Sequence, residues 1–221
     1  MKIVALSDTH GQHRDVTVPD GDVLMFAGDL MGSGYKHSEV KDFAEWFSNQ
    51  PHKYKILVAG NHDRMFETNL DYCLSKFSNV VYLQDSGTEI NGVKFWGSPW
   101  QPWFYNWAFN VPRGPEIAKY WAKIPGDTDV LITHGPPYGI LDQAIPDEVR
   151  GEWSSDIIVH PSEHLGCEEL GKQFGRIMPK VHIFGHIHGS YGTYNDGIRF
   201  YNVSICDEQY NPVNPVTVIE V

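Results

Sequence analysis

Short, unbroken apolar runs that stop abruptly at a polar residue recur along this chain. Residues 3–6 run into Ser7-Asp8-Thr9-His10, residues 23–27 into Gly28-Asp29, and residues 54–59 into Gly60-Asn61-His62-Asp63. Further on, residues 130–133 lead into His134-Gly135, and residues 181–184 into Gly185-His186-Ile187-His188. Apolar runs of this length without alternation predict strands buried on both faces. In open α/β sheets the ligand site lies just past the carboxyl ends of such strands. Here five of them end in side chains of metal-binding type, so the pattern predicts one shared site.

Between the runs the period changes to that of helices. Ser38 is placed to cap a helix carrying Val40, Phe43, Ala44 and Phe47 on one face, with Glu39 in its first turn. Pro115 suits the first position of a helix with Ile117, Tyr120, Trp121 and Ile124, stopped by Pro125-Gly126. A third helix is predicted from about 166 to 178, with Leu170, Phe174 and Ile177 at helical spacing before Pro179. Asn91-Gly92 reads as a two-residue hairpin turn, Asn195-Asp196-Gly197 as another, and residues 216–221 as a last strand. Strand–helix alternation followed by hairpins predicts an α/β (α+β) fold of mixed sheets with helices outside, as one domain over residues 1–221.

Composition narrows the partners. The formal net charge of -11 repels a nucleic-acid backbone and disfavours duplex binding. It permits a compact anionic substrate if bound cations reverse the local field. No apolar run is long enough to span a bilayer. The first strand reaches Ser7-Asp8 too early for a signal peptide, which predicts a cytoplasmic address. Cys73, Cys167 and Cys206 show neither zinc-finger nor redox-motif spacing and read as reduced thiols. The oligomeric state is not encoded in any of these features.

The candidate chemistry rests on seven residues: Asp8, His10, Asp29, Asn61, His134, His186 and His188. On extended backbone Asp8 and His10 would point to one side, as would His186 and His188. Any one of the seven alone is as readily a turn residue, a cap or a packed histidine. Together they form a mixed nitrogen–oxygen set that suits Mn, Fe, Co, Ni or Zn. Seven donors are too many for one ion and fit two ions sharing a bridge.

Those five blocks resemble the calcineurin-like metallophosphoesterase superfamily, and they cover most of the chain. A closer similarity, to the small metallophosphoesterase-domain-protein branch associated with cyclic-nucleotide phosphodiesterase activity, lies in Gly97-Ser98-Pro99-Trp100-Gln101-Pro102-Trp103-Phe104-Tyr105 and Asn110-Val111-Pro112-Arg113-Gly114. It continues in residues 131–137 and 166–170. The resemblance implies a four-layer αββα sandwich with two transition-metal ions. One would be held by Asp8, His10, Asp29 and His188, the other by Asp29, Asn61, His134 and His186. Two such cations lower the pKa of a bridging water, and the hydroxide attacks phosphorus in line. His62 is implied as the group that contacts phosphate and protonates the leaving oxygen, with phosphate contact alone as the alternative. Asp63 would orient His62 or cap the following helix.

Substrate choice is expected to rest on Trp100, Trp103, Phe104 and Tyr105, either as a stacking wall for a nucleobase or as a packed loop. Arg113 is a candidate phosphate contact or a surface salt bridge. Residues 150–164, polar and irregular, are a candidate lid. The favoured activity is hydrolysis of a small phosphodiester such as a 2′,3′- or 3′,5′-cyclic nucleotide. A phosphomonoesterase is the main alternative, ahead of a nuclease or a non-catalytic scaffold.

Overall fold

The computed structural model describes residues 1–144 and 163–221. In chain order the first half contains β1 (Lys2–Leu6), β2 (Val23–Ala27), α1 (His37–Ser48), β3 (Tyr54–Val58), α2 (Arg64–Thr68), α3 (Leu70–Leu74) and β4 (Val81–Tyr82). Then follow β5 (Ser86–Ile90), β6 (Val93–Ser98), β7 (Gln101–Pro102), β8 (Asn110–Val111), α4 (Pro115–Trp121) and β9 (Val130–Thr133). The last part contains α5 (Glu168–Gly171), α6 (Phe174–Ile177), β10 (Val181–Phe184), β11 (Gly192–Asp196), β12 (Ile198–Asn202) and β13 (Thr217–Glu220).

Two mixed sheets result, one ordered β13-β1-β2-β3-β4 and the other β11-β12-β10-β9-β6-β5. Alternate residues of each central strand serve different cores. Ile3, Ala5, Met25, Ile56, Ile132 and Ile183 meet between the sheets. Val4, Leu6, Leu24, Phe26 and Leu57 face outward onto Val40, Phe43, Phe47 and Phe66 of α1 and α2. Leu131 faces outward onto Ile117, Trp121, Leu170 and Ile177 of α4 to α6. Strands coated on both sides have no polar face, which explains their unbroken apolar runs. The order of layers is helices, sheet, sheet, helices.

Asn91 and Gly92 both take positive φ and join Ile90 to Val93 directly, as a two-residue hairpin turn requires. β13 runs antiparallel to β1, and Met1 and Val221 exchange backbone hydrogen bonds of 2.6 and 3.0 Å.

Two helix expectations need correction. α1 begins two residues early, with Lys36 at the cap position and no side-chain cap, so Ser38 lies inside the helix. The predicted third helix is broken into α5 and α6, and Met178 turns left-handed after it. The break falls just after Gly171, with a second glycine, Gly175, inside α6, and glycine weakens a helix interior. The candidate lid lies outside the described residues except for Glu163 and His164. His164 donates from Nδ1 to the buried Asp142 carboxylate at 2.6 Å. No described helix is long and apolar enough to cross a membrane.

Candidate metal centre

The two sheets are stitched together at the carboxyl ends of their central strands. Ser7 donates its N–H to Val203 O and accepts from Ile205 N; within the second sheet, Gly185 N reaches His134 O at 2.8 Å and holds the ends of β10 and β9 together. The loop after β1 runs beside the loop after β2, through Asp8 N to Gly28 O and His10 N to Asp29 O. All seven predicted donors therefore converge on one rim. Glycine makes the approach possible at two points. A Cβ on Gly60 would strike the Asp29 carboxylate and stand 2.6 Å from His134 Cε1; one on Gly185 would strike Asp8 and Ser7.

The donors form two groups. Asp8, His10 and His188 present ligand atoms within 4.8 Å of one another, and so do Asp29, His134 and His186. Asn61 Oδ1 lies 2.7 Å from His134 Nε2. His10 Nε2 is 3.2 Å from His188 Nε2, and His188 Nε2 is 3.4 Å from Asp8 Oδ1. Asp29 faces both groups, with Oδ1 3.4 Å from His134 and Oδ2 3.8 Å from His10. Ligands about 2.1 Å from a common ion stand roughly 3.0–3.4 Å apart, so the spacings fit the inferred cations. His186 and His188 fall into different groups.

The backbone reasoning behind the Asp8–His10 and His186–His188 pairs needs correction. Asp8, His10, Asp29 and His186 are not extended; their φ values are 53, 44, 60 and 70°. These four candidate donors sit in left-handed turns just beyond the strands.

Ring orientation is set by carbonyl oxygens, which only accept. His134 donates from Nδ1 to Ala27 O and His188 from Nδ1 to Asp207 O, so each turns Nε2 to the centre. Asp8 is held by the Ser7 and Ser204 hydroxyls and the His186 N–H. Among the protein groups alone, burial opposes charge everywhere. His188 outweighs it at Asp8, and His134, His62 and His10 outweigh it at Asp29, so both carboxyls stay below their usual range. Against the same burial, Asp29 raises His134 and Asp8 raises His188, each to about 9. Burial lowers His10 to about 4 and His186 to about 3. Cations of this type bind deprotonated imidazole and therefore compete with protons for His134 and His188.

His62 stands beside the donors. Its N–H donates to Asp29 Oδ1 at 2.7 Å, its Nδ1–H donates to Gly32 O at 2.8 Å, and its ring meets His10 edge-on at 4.6 Å. Asp63 performs neither of the tasks expected of it. Its fully buried carboxylate accepts from the backbone N–H of Gly60, Asp29 and Met31 at 2.7, 2.9 and 3.0 Å, and makes no side-chain cap to α2. It therefore positions the Asp29 and Asn61 loops and does not touch the His62 ring.

The substrate candidates separate. Trp100 is packed, its ring against Phe109 and Tyr120 and its Nε1–H on Asp85, which corrects its place in a stacking wall. Arg113 is spent on the backbone oxygens of Gly166 and Leu165, neither phosphate contact nor salt bridge. Trp103, Phe104 and Tyr105 remain 62, 45 and 54% exposed at the tip of the β7–β8 connection. Two aromatic residues at the centre were not among the candidates. Trp107 stacks on His62, and Tyr210, in left-handed backbone, sets its ring 4.7 Å from His10 and 5.4 Å from His188. Trp107 was visible only as one of many aromatics in its segment, and no signal marked Tyr210.

The strand ends of two stacked sheets, delivering this donor set, define a metal-dependent hydrolase of phosphoester bonds. The chain belongs to the calcineurin-like phosphoesterase family, whose model matches residues 1–190. Human metallophosphoesterase domain-containing protein 1 is 39% identical over 244 residues, spanning 99% of this chain and 70% of that protein. A UPF0046 protein of Caenorhabditis elegans is 40% identical over 223 residues, spanning 94% of this chain and 71% of its own length. Among solved structures, phosphopantetheinyl hydrolase from Mycobacterium tuberculosis shares the fold, with a TM-score of 0.58 at 17% identity over 95% of this chain and 90% of that one.

Proposed function

We propose that this chain, as a single metallophosphoesterase domain over residues 1–221, hydrolyses small phosphodiesters, with 2′,3′- or 3′,5′-cyclic nucleotides the foremost class. Two transition-metal ions would be held by Asp8, His10, Asp29 and His188 and by Asp29, Asn61, His134 and His186. When bound, they supply an activated water and offset charge on phosphorus. The observation that carries the reading is the placement of His62. Its Nδ1 is committed to Gly32 O, so Nε2 is the nitrogen left to hold and deliver a proton. A nucleoside alkoxide is a poor leaving group, and a positioned acid contributes most there. The exposed Trp103, Phe104 and Tyr105 offer faces on which a base can stack. The buried, unpaired thiols of Cys73, Cys167 and Cys206 support a reducing, cytoplasmic setting.

The test is turnover by protein of measured metal content on bis(p-nitrophenyl) phosphate, p-nitrophenyl phosphate, both cyclic AMP isomers and single-stranded DNA. Preferential turnover of the cyclic nucleotides is expected. Preference for the monoester would make the protein a phosphatase, and inactivity with two metals bound would remove the enzyme reading. Asp29→Ala is expected to lose metal and activity together. His62→Ala should keep the metals and slow poor leaving groups by roughly 10²–10⁴-fold, and good ones far less.

A further inference from the structure

Trp107 lies against His62 with ring centroids 4.0 Å apart and planes 23° from parallel. The segment that carries it is tied to the site on both sides. Ala108 N donates to Asn61 O at 3.0 Å, the Arg64 guanidinium donates to Asn106 O, and Phe109 N donates to Glu67 Oε1 at 2.9 Å. Residues 106–109 are thus laced to residues 61–67, and the indole is fixed relative to the backbone of His62. The imidazole itself has one hydrogen bond, at Nδ1, an edge contact to His10 and a looser, tilted approach to Tyr210 with centroids 6.2 Å apart. A single hydrogen bond leaves a ring free to swing about that contact, and a face contact removes the swing.

We infer that Trp107 is a positioning residue: its indole face holds the His62 ring so that Nε2 meets the phosphate and its leaving oxygen. The inference rests on the proposed role of His62. It also gives the aromatic segment a division of labour. Trp107 enters the site, Trp100 packs beneath, and the three aromatics between them, Trp103, Phe104 and Tyr105, are exposed. Misplacing a reacting group by about 1 Å can cost on the order of 10²-fold in rate, so losing the indole should be felt at the chemical step.

The test is a double-mutant cycle between Trp107 and His62 in metal-loaded protein. Trp107→Ala should lower kcat on a cyclic nucleotide by about 10–100-fold, with KM within about 3-fold, metal content unchanged and p-nitrophenyl esters much less affected. Trp107→Phe should restore activity to within about 3-fold of the parent. In the His62→Ala background, Trp107→Ala should add nothing. An equal loss in both backgrounds, or no loss in the parent, would overturn the inference. If the parent turns over no ester, the reaction reading fails by itself, and the same cycle is then run on calorimetric binding of inorganic phosphate. Non-additive weakening there upholds the positioning role; additive or absent weakening rejects it. Protein labelled with 5-fluorotryptophan gives a readout that needs neither turnover nor phosphate. The Trp107 resonance, identified by its loss in Trp107→Phe, should shift in His62→Ala while that of Trp103 stays in place. An unmoved Trp107 signal would deny the contact itself.

Discussion

Asp8, His10, Asp29 and His186 bring their side chains to the centre from left-handed backbone, which costs a residue other than glycine about 1 kcal/mol or more. Local hydrogen bonds hold these turns, His10 N on Asp29 O and His186 N on the Asp8 carboxylate among them. Side-chain identity at these positions was legible in the sequence because donor chemistry admits few residue types. Backbone shape was not, because left-handed backbone is uncommon for any residue but glycine and no residue pattern marks where it falls. Asp63 shows the same divide. A carboxylate beside His62 invited a catalytic role, yet both its oxygens accept from backbone N–H groups. Asp63→Asn must turn an NH₂ toward one of those donors. It is expected to destabilise the fold by about 1–3 kcal/mol and to lower metal occupancy, measured by denaturant unfolding and metal analysis. His182, away from the centre, provides a pH probe. Thr133 Oγ1 donates to Gly135 O, so it must accept from His182 Nε2, and burial lowers this imidazole to about 3. In the unfolded chain it titrates near 6.5. Between those values only the unfolded state takes the proton, so stability falls as pH drops below about 6.5. In His182→Gln the loss of unfolding free energy between pH 6.5 and 4.5 should shrink by roughly 2–3 kcal/mol.

Among the elements, the central strands could be read from the sequence with hardly a shift in bounds, because a strand coated on both faces carries its own signature. The features that escaped depend on contacts remote in the chain. Trp100 finds Asp85, and Arg113 finds carbonyl groups more than fifty residues away. The break between α5 and α6 escaped as well, since their apolar period continues across the interrupting glycines. What the strands deliver depends on the turn that follows each of them. Gly60→Ala tests this, because the added methyl would meet the Asp29 carboxylate, Asp29 N at 2.6 Å and His134 Cε1 at 2.6 Å. Loss of metal binding and activity is expected with the strands retained, read by metal analysis, turnover and circular dichroism.

For the molecule as a whole, the net charge of -11 leaves little to attract a polyanion, and several cations are already paired, Lys94 with Asp127, Lys123 with Asp85 and Lys180 with Asp129. Attraction for phosphate therefore has to be local to the rim, which favours compact substrates. The mutual hydrogen bonds of Met1 and Val221 have a different use. They sit where β1 begins, and the donors gather where it ends, roughly 17 Å away. The order in which the strands are threaded is thus separable from the chemistry they support. A circular permutant, with Val221 linked to Met1 through a short glycine-rich bridge and new ends opened between Asn91 and Gly92, should bind metal and turn over substrate within about 3-fold of the parent. Failure of that permutant to load metal would mean that the order in which the strands are threaded helps to shape the rim.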